Sequence, residues 1–184
     1  MAPLLAAARP TALLSSDLVR ARDTAAPLAA LTGLAPSYDP RLRELDLGTW
    51  QGLTSAQARE RFPDEHAAWR AGRDVRRGGG ETYADAGARA AQAVADADLP
   101  PGGVLVAVTH GGTARALVGT LLGDDPDTWW RWAPLGNCCW TVLVEHPRGW
   151  RVQQHGTGPN ALRDPLGRPA GPKPAAAQAE APSL

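Results

Sequence analysis

The chain has 184 residues, 43% of them hydrophobic and 21% charged, which suits one globular domain with a tail. Nineteen basic and nineteen acidic residues cancel, so charge gives no reason to expect nucleic acid or an anionic membrane as a partner. No apolar run approaches the roughly 18 residues that span a bilayer, and the first ten residues lack a basic segment followed by a cleavage site. The two cysteines, Cys138 and Cys139, are adjacent and cannot build a disulfide framework. They are expected to be buried thiols in a strand, and the reducing cytoplasm is the expected compartment.

Residues 1–8 are apolar and stop at Arg9-Pro10, so they read as the end of a helix. Residues 12–16 form a short apolar run expected to be a buried strand. Ser16 or Asp17 is placed to cap the next helix, whose apolar face is Leu18, Ala21, Ala25, Leu28 and Leu31 and which Gly33 ends. Residues 41–52 read as a loop hinged at Gly48 and Gly52, and Thr54 or Ser55 opens a helix to about Arg61. The arginine-rich stretch 62–82, with Gly78-Gly79-Gly80 near its end, reads as a mobile excursion that lids a pocket. Residues 82–97 read as an alanine-rich helix.

Residues 104–108 are five aliphatics after Pro-Pro-Gly-Gly, the pattern of a central strand covered on both faces. A helix over 113–122 ends at Gly123, and a short tryptophan-rich helix spans 126–132. Residues 139–145 and 150–154 read as a hairpin across Pro147-Arg148-Gly149. From residue 158 to 184 Pro, Ala and Gly dominate, which predicts a disordered tail after a domain over 1–157. Strands alternating with helices argue for α/β architecture.

Three features carry chemistry. Arg20 lies in the first turn of a helix that follows a strand, where free amide N–H groups and a guanidinium together suit a phosphate. Alone, such an arginine reads first as a solvated side chain. Glu44 and Asp46 share a glycine-hinged loop with Trp50; a partly desolvated carboxyl there could protonate a leaving group, or be an ordinary salt-bridged acid. His110-Gly111-Gly112 follows the strongest strand and precedes a helix, where ligands of open parallel sheets bind. His66, His146 and His155 read as surface or structural side chains. Arg70, Arg73, Arg76 and Arg77 are consistent with substrates of extra negative charge, or with a charged exposed loop. The seven tryptophans read as core or subunit contact.

Together these segments resemble the histidine phosphatase superfamily, the phosphoglycerate-mutase-like proteins. Leu18-Val19-Arg20-Ala21 with Thr24-Ala25 matches the phosphate-binding arginine motif, and Glu44 in the segment to Trp50-Gln51-Gly52 matches the proton donor. Gly80-Glu81-Thr82 looks like the Gly-Glu-Ser turn, His110-Gly111-Gly112 matches the second histidine motif, and Leu135-Gly136-Asn137-Cys138 resembles the Asn-Cys-Ser segment. The resemblance implies a three-layer α/β/α fold with a mostly parallel sheet. It assigns catalysis to Glu44 and His110, phosphate binding to Arg20, His110 and Gly111, and a pocket edge to Asn137. It implies a small phosphorylated substrate, no cofactor and no metal, and leaves the oligomeric state open.

No Arg-His-Gly triplet, which carries the family's nucleophilic histidine, occurs in these residues. The expectation is therefore that Met1 is an internal start, that the first strand and its histidine lie upstream, and that the chain as given is inactive. For the complete domain the expected reaction is phosphomonoester hydrolysis through a phosphohistidine. A mutase is the weaker reading, because the spacing from Glu44 to His110 is short for one. An inactive, phospholigand-binding remnant is the alternative if Met1 is the true start. An α/β-hydrolase esterase is disfavoured because no Gly-x-Ser-x-Gly elbow occurs.

Overall fold

A computed structural model describes residues 1–158; the tail expected over 158–184 lies, apart from Gly158, outside the described residues. The elements in chain order are α1 (Ala2–Ala6), β1 (Ala12–Ser15), α2 (Val19–Thr32), β2 (Ser37–Tyr38), α3 (Ser55–Arg61), α4 (Pro63–Arg70), α5 (Tyr83–Ala95), β3 (Leu105–Val108), α6 (Gly111–Leu122), β4 (Trp140–His146) and β5 (Gly149–Thr157). Short 3₁₀ turns cover Pro40–Leu42, Gly48–Trp50, Arg77–Gly79 and Pro126–Arg131.

β1 is the centre of a three-stranded parallel sheet in the order β2-β1-β3, with Leu13 opposite Val106 and Leu14 opposite Ala107. Successive strand residues face opposite sides, and the packing follows that alternation. Leu13, Val106 and Val108 pack with Ala2, Ala25 and Leu28 of α1 and α2. Leu14 and Leu105 pack on the other face with Leu42, Ala90, Ala93 and Leu117, from the Pro40–Leu42 turn, α5 and α6. The result is the three-layer α/β/α arrangement with a parallel sheet.

Five expectations are corrected. The strand over 104–108 begins at Leu105 and flanks β1 rather than being central. It is apolar throughout because helices cover both its faces, a property that does not require a strand on each side. The excursion is ordered: Pro63 at the first helical position, Asp64 and Glu65 in the first turn and Arg70 in the last make α4 a well-signalled helix. His66 is buried, 8% exposed, between Trp50 and Trp69, and Arg77, 6% exposed, lies against Trp69 and Tyr83. Cys138 is an exposed turn residue at φ 61° rather than a buried strand thiol.

Other boundaries agree closely with the sequence reading. Gly33 and Gly123 close α2 and α6 in the left-handed conformation. Thr54 and Thr82 open α3 and α5 with reciprocal capping boxes to Gln57 and Asp85. The hairpin turns at Pro147-Arg148, with His146 opposite Gly149. Among the described residues, no helix is long and apolar enough to cross a membrane.

Candidate active site

The carboxyl end of β1 and that of β3 lie side by side, with Ser15 opposite Val108, and the residues just beyond them meet. Ser16 is fully buried. Its hydroxyl accepts from the Leu18 N–H at 3.3 Å and lies 2.9 Å from His110 Nε2. This replaces the expected cap: Leu18, not Ser16 or Asp17, is the residue at the N-cap of α2. In the first turn of α2, Arg20 donates from Nε to His110 Nδ1 at 3.1 Å. Arginine only donates, so Nδ1 is the acceptor and the ring proton sits on Nε2, directed at Ser16. Two residues far apart in the chain thus place a guanidinium and an imidazole edge to edge at the mouth of the sheet. Gly111 follows, exposed, with nothing within 4 Å of the position a side chain would occupy.

Glu44 is fastened to the first turn of α6. Its carboxylate accepts from Thr113 N–H at 3.0 Å, Gly112 N–H at 3.3 Å and its own neighbour Leu45 N–H at 2.9 Å. These α6 amides have no partner inside the helix, so a distant carboxylate does the work of a cap. The fully buried Thr113 hydroxyl donates to Arg43 O at 2.7 Å, and Thr109 donates to Leu42 O at 2.8 Å. Arg43 in turn is paired with Asp17 at the other rim, at 2.8 Å from Nε.

Behind the loop stands Arg89 of α5. It binds both oxygens of Glu81 at 2.7 and 2.8 Å and donates to the carbonyls of Arg41 and Arg43 at 2.6 and 2.9 Å. Glu81 closes the frame: its carboxylate accepts from Asp46 N–H at 3.0 Å, and its own N–H donates to Asp46 O at 2.8 Å. The Arg89 guanidinium lowers the Glu81 pKa below the ordinary range. The two loops cross backbone to backbone. A methyl group on Gly80 would fall 2.2 Å from Asp46 O and 2.6 Å from Gly48 N, which is why the crossing is built of glycines.

His110 is 8% exposed. Burial lowers its pKa, and the neighbouring Arg20 charge lowers it further against the opposing pull of Glu44 and Asp17. In the window between the lowered folded value and the unfolded value of about 6.5, the unfolded chain binds more protons. Stability from this group is therefore complete above about pH 6.5 and is lost as pH falls toward the folded value. Imidazole NMR should give a His110 midpoint below 6.5 that moves up in Arg20→Met; an unchanged midpoint would contradict the coupling.

The structure brings Arg20, Glu44, His110 and Gly111 to one end of the sheet. Asp46 is instead a turn residue, accepting from Gly48 N–H and Gln51 Nε2, each at 2.8 Å. His66 is tied to Ser55 at 3.0 Å, His146 is exposed at the hairpin, and His155 is held by Thr141 and the Ala133 carbonyl. Asn137 lies in the exposed turn ahead of β4. Sequence reasoning overlooked Ser16 as a partner of His110, and Arg89 altogether. The available signal for Arg89 was its position two turns beyond Glu81 as the one basic side chain of an alanine-rich helix. Among the described residues, no group of three His, Cys, Asp or Glu side chains is arranged to hold a metal.

A buried histidine locked to a helix-borne arginine, with a carboxylate clamped beside it, is the constellation the sequence motifs foreshadow. The sequence profile of the histidine phosphatase superfamily (branch 1) matches residues 1–157, and the chain belongs to that family. It is 40% identical over 155 residues to the glucosyl-3-phosphoglycerate phosphatase of Mycobacterium tuberculosis, covering 79% of this chain and 69% of that protein. It is 38% identical over 116 residues to the 2,3-bisphosphoglycerate-dependent phosphoglycerate mutase of Methylobacterium radiotolerans, covering 59% of this chain and 55% of the mutase. A mycobacterial glucosyl-3-phosphoglycerate phosphatase solved with VO3 superposes with a TM-score of 0.73 at 38% identity, covering 83% of this chain and 79% of the other.

Proposed function

We propose that the chain binds the phosphoryl group of a small phosphomonoester between Arg20 and His110, and that with a nucleophilic histidine in place this site hydrolyses the ester. The observation that carries the reading is the 3.1 Å bond from Arg20 Nε to His110 Nδ1, which pairs a guanidinium with a ring at the carboxyl ends of β1 and β3. In the reaction the nucleophilic nitrogen forms a bond to phosphorus as the ester oxygen leaves with its electron pair. Glu44 supplies the proton to that oxygen. Water then attacks phosphorus, Glu44 takes its proton, and the nitrogen–phosphorus bond breaks to release phosphate. Arg20, His110 and the exposed N-terminus of α6 at Gly111 stabilise charge on the phosphoryl oxygens.

The names of the relatives make glucosyl-3-phosphoglycerate the first substrate to try. Hydrolysis is preferred over a mutase reaction because the segment between Glu44 and His110 is short and taken up by α3, α4 and α5. One observation favours a second reading for these 184 residues themselves, namely phospholigand binding without turnover. Each of the three other histidines is engaged elsewhere or exposed, so none stands beside Arg20 as a nucleophile.

Calorimetry with orthovanadate and a phosphate-release assay with glucosyl-3-phosphoglycerate test both parts. The expected result is one vanadate bound per chain, dependent on His110, with no release of phosphate and no acid-labile phosphohistidine. Absence of vanadate binding would overturn the site. Steady release of phosphate would overturn the inactivity and show that a nucleophile is present among these residues.

A further inference from the structure

Arginine side chains also gather beside a small packing cluster of α5 and α6. Leu45, Ala86, Ala116 and Trp129 form a small core against α5 and α6. Beside it opens a cavity of about 40 Å³ whose walls include Trp69, Arg73, Asp74, Tyr83, Arg115 and Trp130. That volume holds about three waters, the size of a carboxylate or phosphate head rather than a sugar ring. None of Arg20, Glu44 and His110 lines it.

Arg115 brings a guanidinium whose Nε is completely buried and makes no hydrogen bond. Buried donors are nearly always satisfied, and an arginine donor left unmet is costly. Asp74, the carboxylate in the wall, makes no hydrogen bond to it. Both oxygens of Asp74 are taken by the Tyr83 and Ala84 N–H groups, at 2.6 and 2.9 Å. A second buried cation stands behind the wall: Arg77 lies over the faces of Tyr83 and Trp69, with its guanidinium carbon 5.0 and 5.7 Å from the ring centroids. Among the described residues the ion pairs occupy Arg41, Arg43, Arg76 and Arg89, and neither Arg77 nor Arg115. Arg73 is exposed at the same cavity. Two arginines outside the ion pairs thus line one small aromatic-walled recess together with Asp74, and Arg77 stands behind its wall.

We propose that this recess is an oxyanion site, taking a carboxylate or phosphate group on Arg115 with Arg73 closing over it. The planar guanidinium offers paired donors to such a group, and the aromatic walls restrict water that would compete for them. The field of Arg77 adds to the attraction without contact. Arg115 stands three and four residues after Gly112 and Gly111, hence on the same face of α6. About 6 Å of helix rise separates it from Gly111. That proximity allows two sources for the anion: a second acidic group on the phosphomonoester held at Arg20, which would rest on the function proposed above, or a separate small anion.

Titration of the full chain, read by tryptophan fluorescence, separates them. The probes are inorganic phosphate and 3-phosphoglycerate, and the variants are Arg115→Met, Arg115→Lys and Arg20→Met. If the anion belongs to the substrate, Arg115→Met weakens 3-phosphoglycerate binding at least tenfold and leaves inorganic phosphate unchanged. If it is a free anion, inorganic phosphate binds in two phases and Arg115→Met removes the one that survives in Arg20→Met. Phosphate binding that Arg20→Met leaves wholly intact and Arg115→Met abolishes would support this site while defeating the first. Should Arg115→Met not fold, Arg115→Lys, which keeps the charge but loses the fork, is expected to show a partial loss. Binding of both probes unaltered in a folded Arg115 variant would overturn the proposal.

Discussion

Arg20→Ala is expected to weaken binding of inorganic phosphate or orthovanadate by roughly ten- to a hundredfold. A hydrogen bond to a charged partner contributes about 1.5–3 kcal/mol net, and each 1.4 kcal/mol is about a factor of ten in affinity. Arg20 is exposed on the first turn of α2, so the chain loses little packing when it is truncated. The substitution also removes the donor to His110 Nδ1, freeing the ring to take the other tautomer and turn away from Ser16. Affinity should fall while the unfolding free energy from urea titration stays within about 0.5 kcal/mol of the parent, as expected for a surface side chain. Equal loss of both would mean that Arg20 is structural rather than a ligand for phosphate.

Gly80→Ala is expected to be among the most damaging single substitutions, at about 3 kcal/mol or more. Overpacking a core with a methyl group costs about 1–3 kcal/mol when side chains can shift. Here the obstruction is backbone, Asp46 O at 2.2 Å and Gly48 N at 2.6 Å, and backbone on both strands of the crossing is pinned. Relief requires the loops to separate, which breaks the paired bonds between Asp46 and Glu81 and loosens the segment that holds Glu44. Urea unfolding should show a lower midpoint with an unchanged slope, together with weakened phosphate binding. Gly79→Ala provides the contrast. It has nothing within 4 Å and a φ of 77°, so it should cost only the roughly 1–2 kcal/mol of a left-handed residue. Equal behaviour of the two variants would contradict the steric argument.

Much of the frame was legible because local signals and tertiary needs agree. Gly33 and Gly123 end helices where the chain must reverse, and Thr54 and Thr82 begin them with side chains that satisfy their own first turns. Leu13 and Leu14 face opposite layers, which an apolar run on a parallel strand announces without saying which layer is which. Arg20, Glu44 and His110 were legible as candidates through motif order. Their geometry was not, because the contacts joining them span 68 to 90 positions and no local pattern encodes such a pairing. The stretch 62–82 misled for a different reason. Its polar and cationic composition resembles that of a solvated loop, yet Trp50, Trp69 and Tyr83 supply aromatic faces that bury His66 and Arg77. Burial of such side chains depends on partners distant in sequence.

The clamp on Glu44 has a consequence for how a proton leaves it. While the carboxylate accepts from Gly112 and Thr113, it satisfies amides that would otherwise be bare. Under the proposed role, swinging toward a leaving oxygen surrenders those bonds, so acid delivery and the integrity of the first turn of α6 are in competition. An arriving phosphoryl group resolves that competition, because its oxygens are acceptors of the same kind at the same helix end. The ester would then release its own acid: filling the helix terminus with phosphate oxygen frees the carboxyl that completes the reaction, and an empty site keeps that carboxyl occupied.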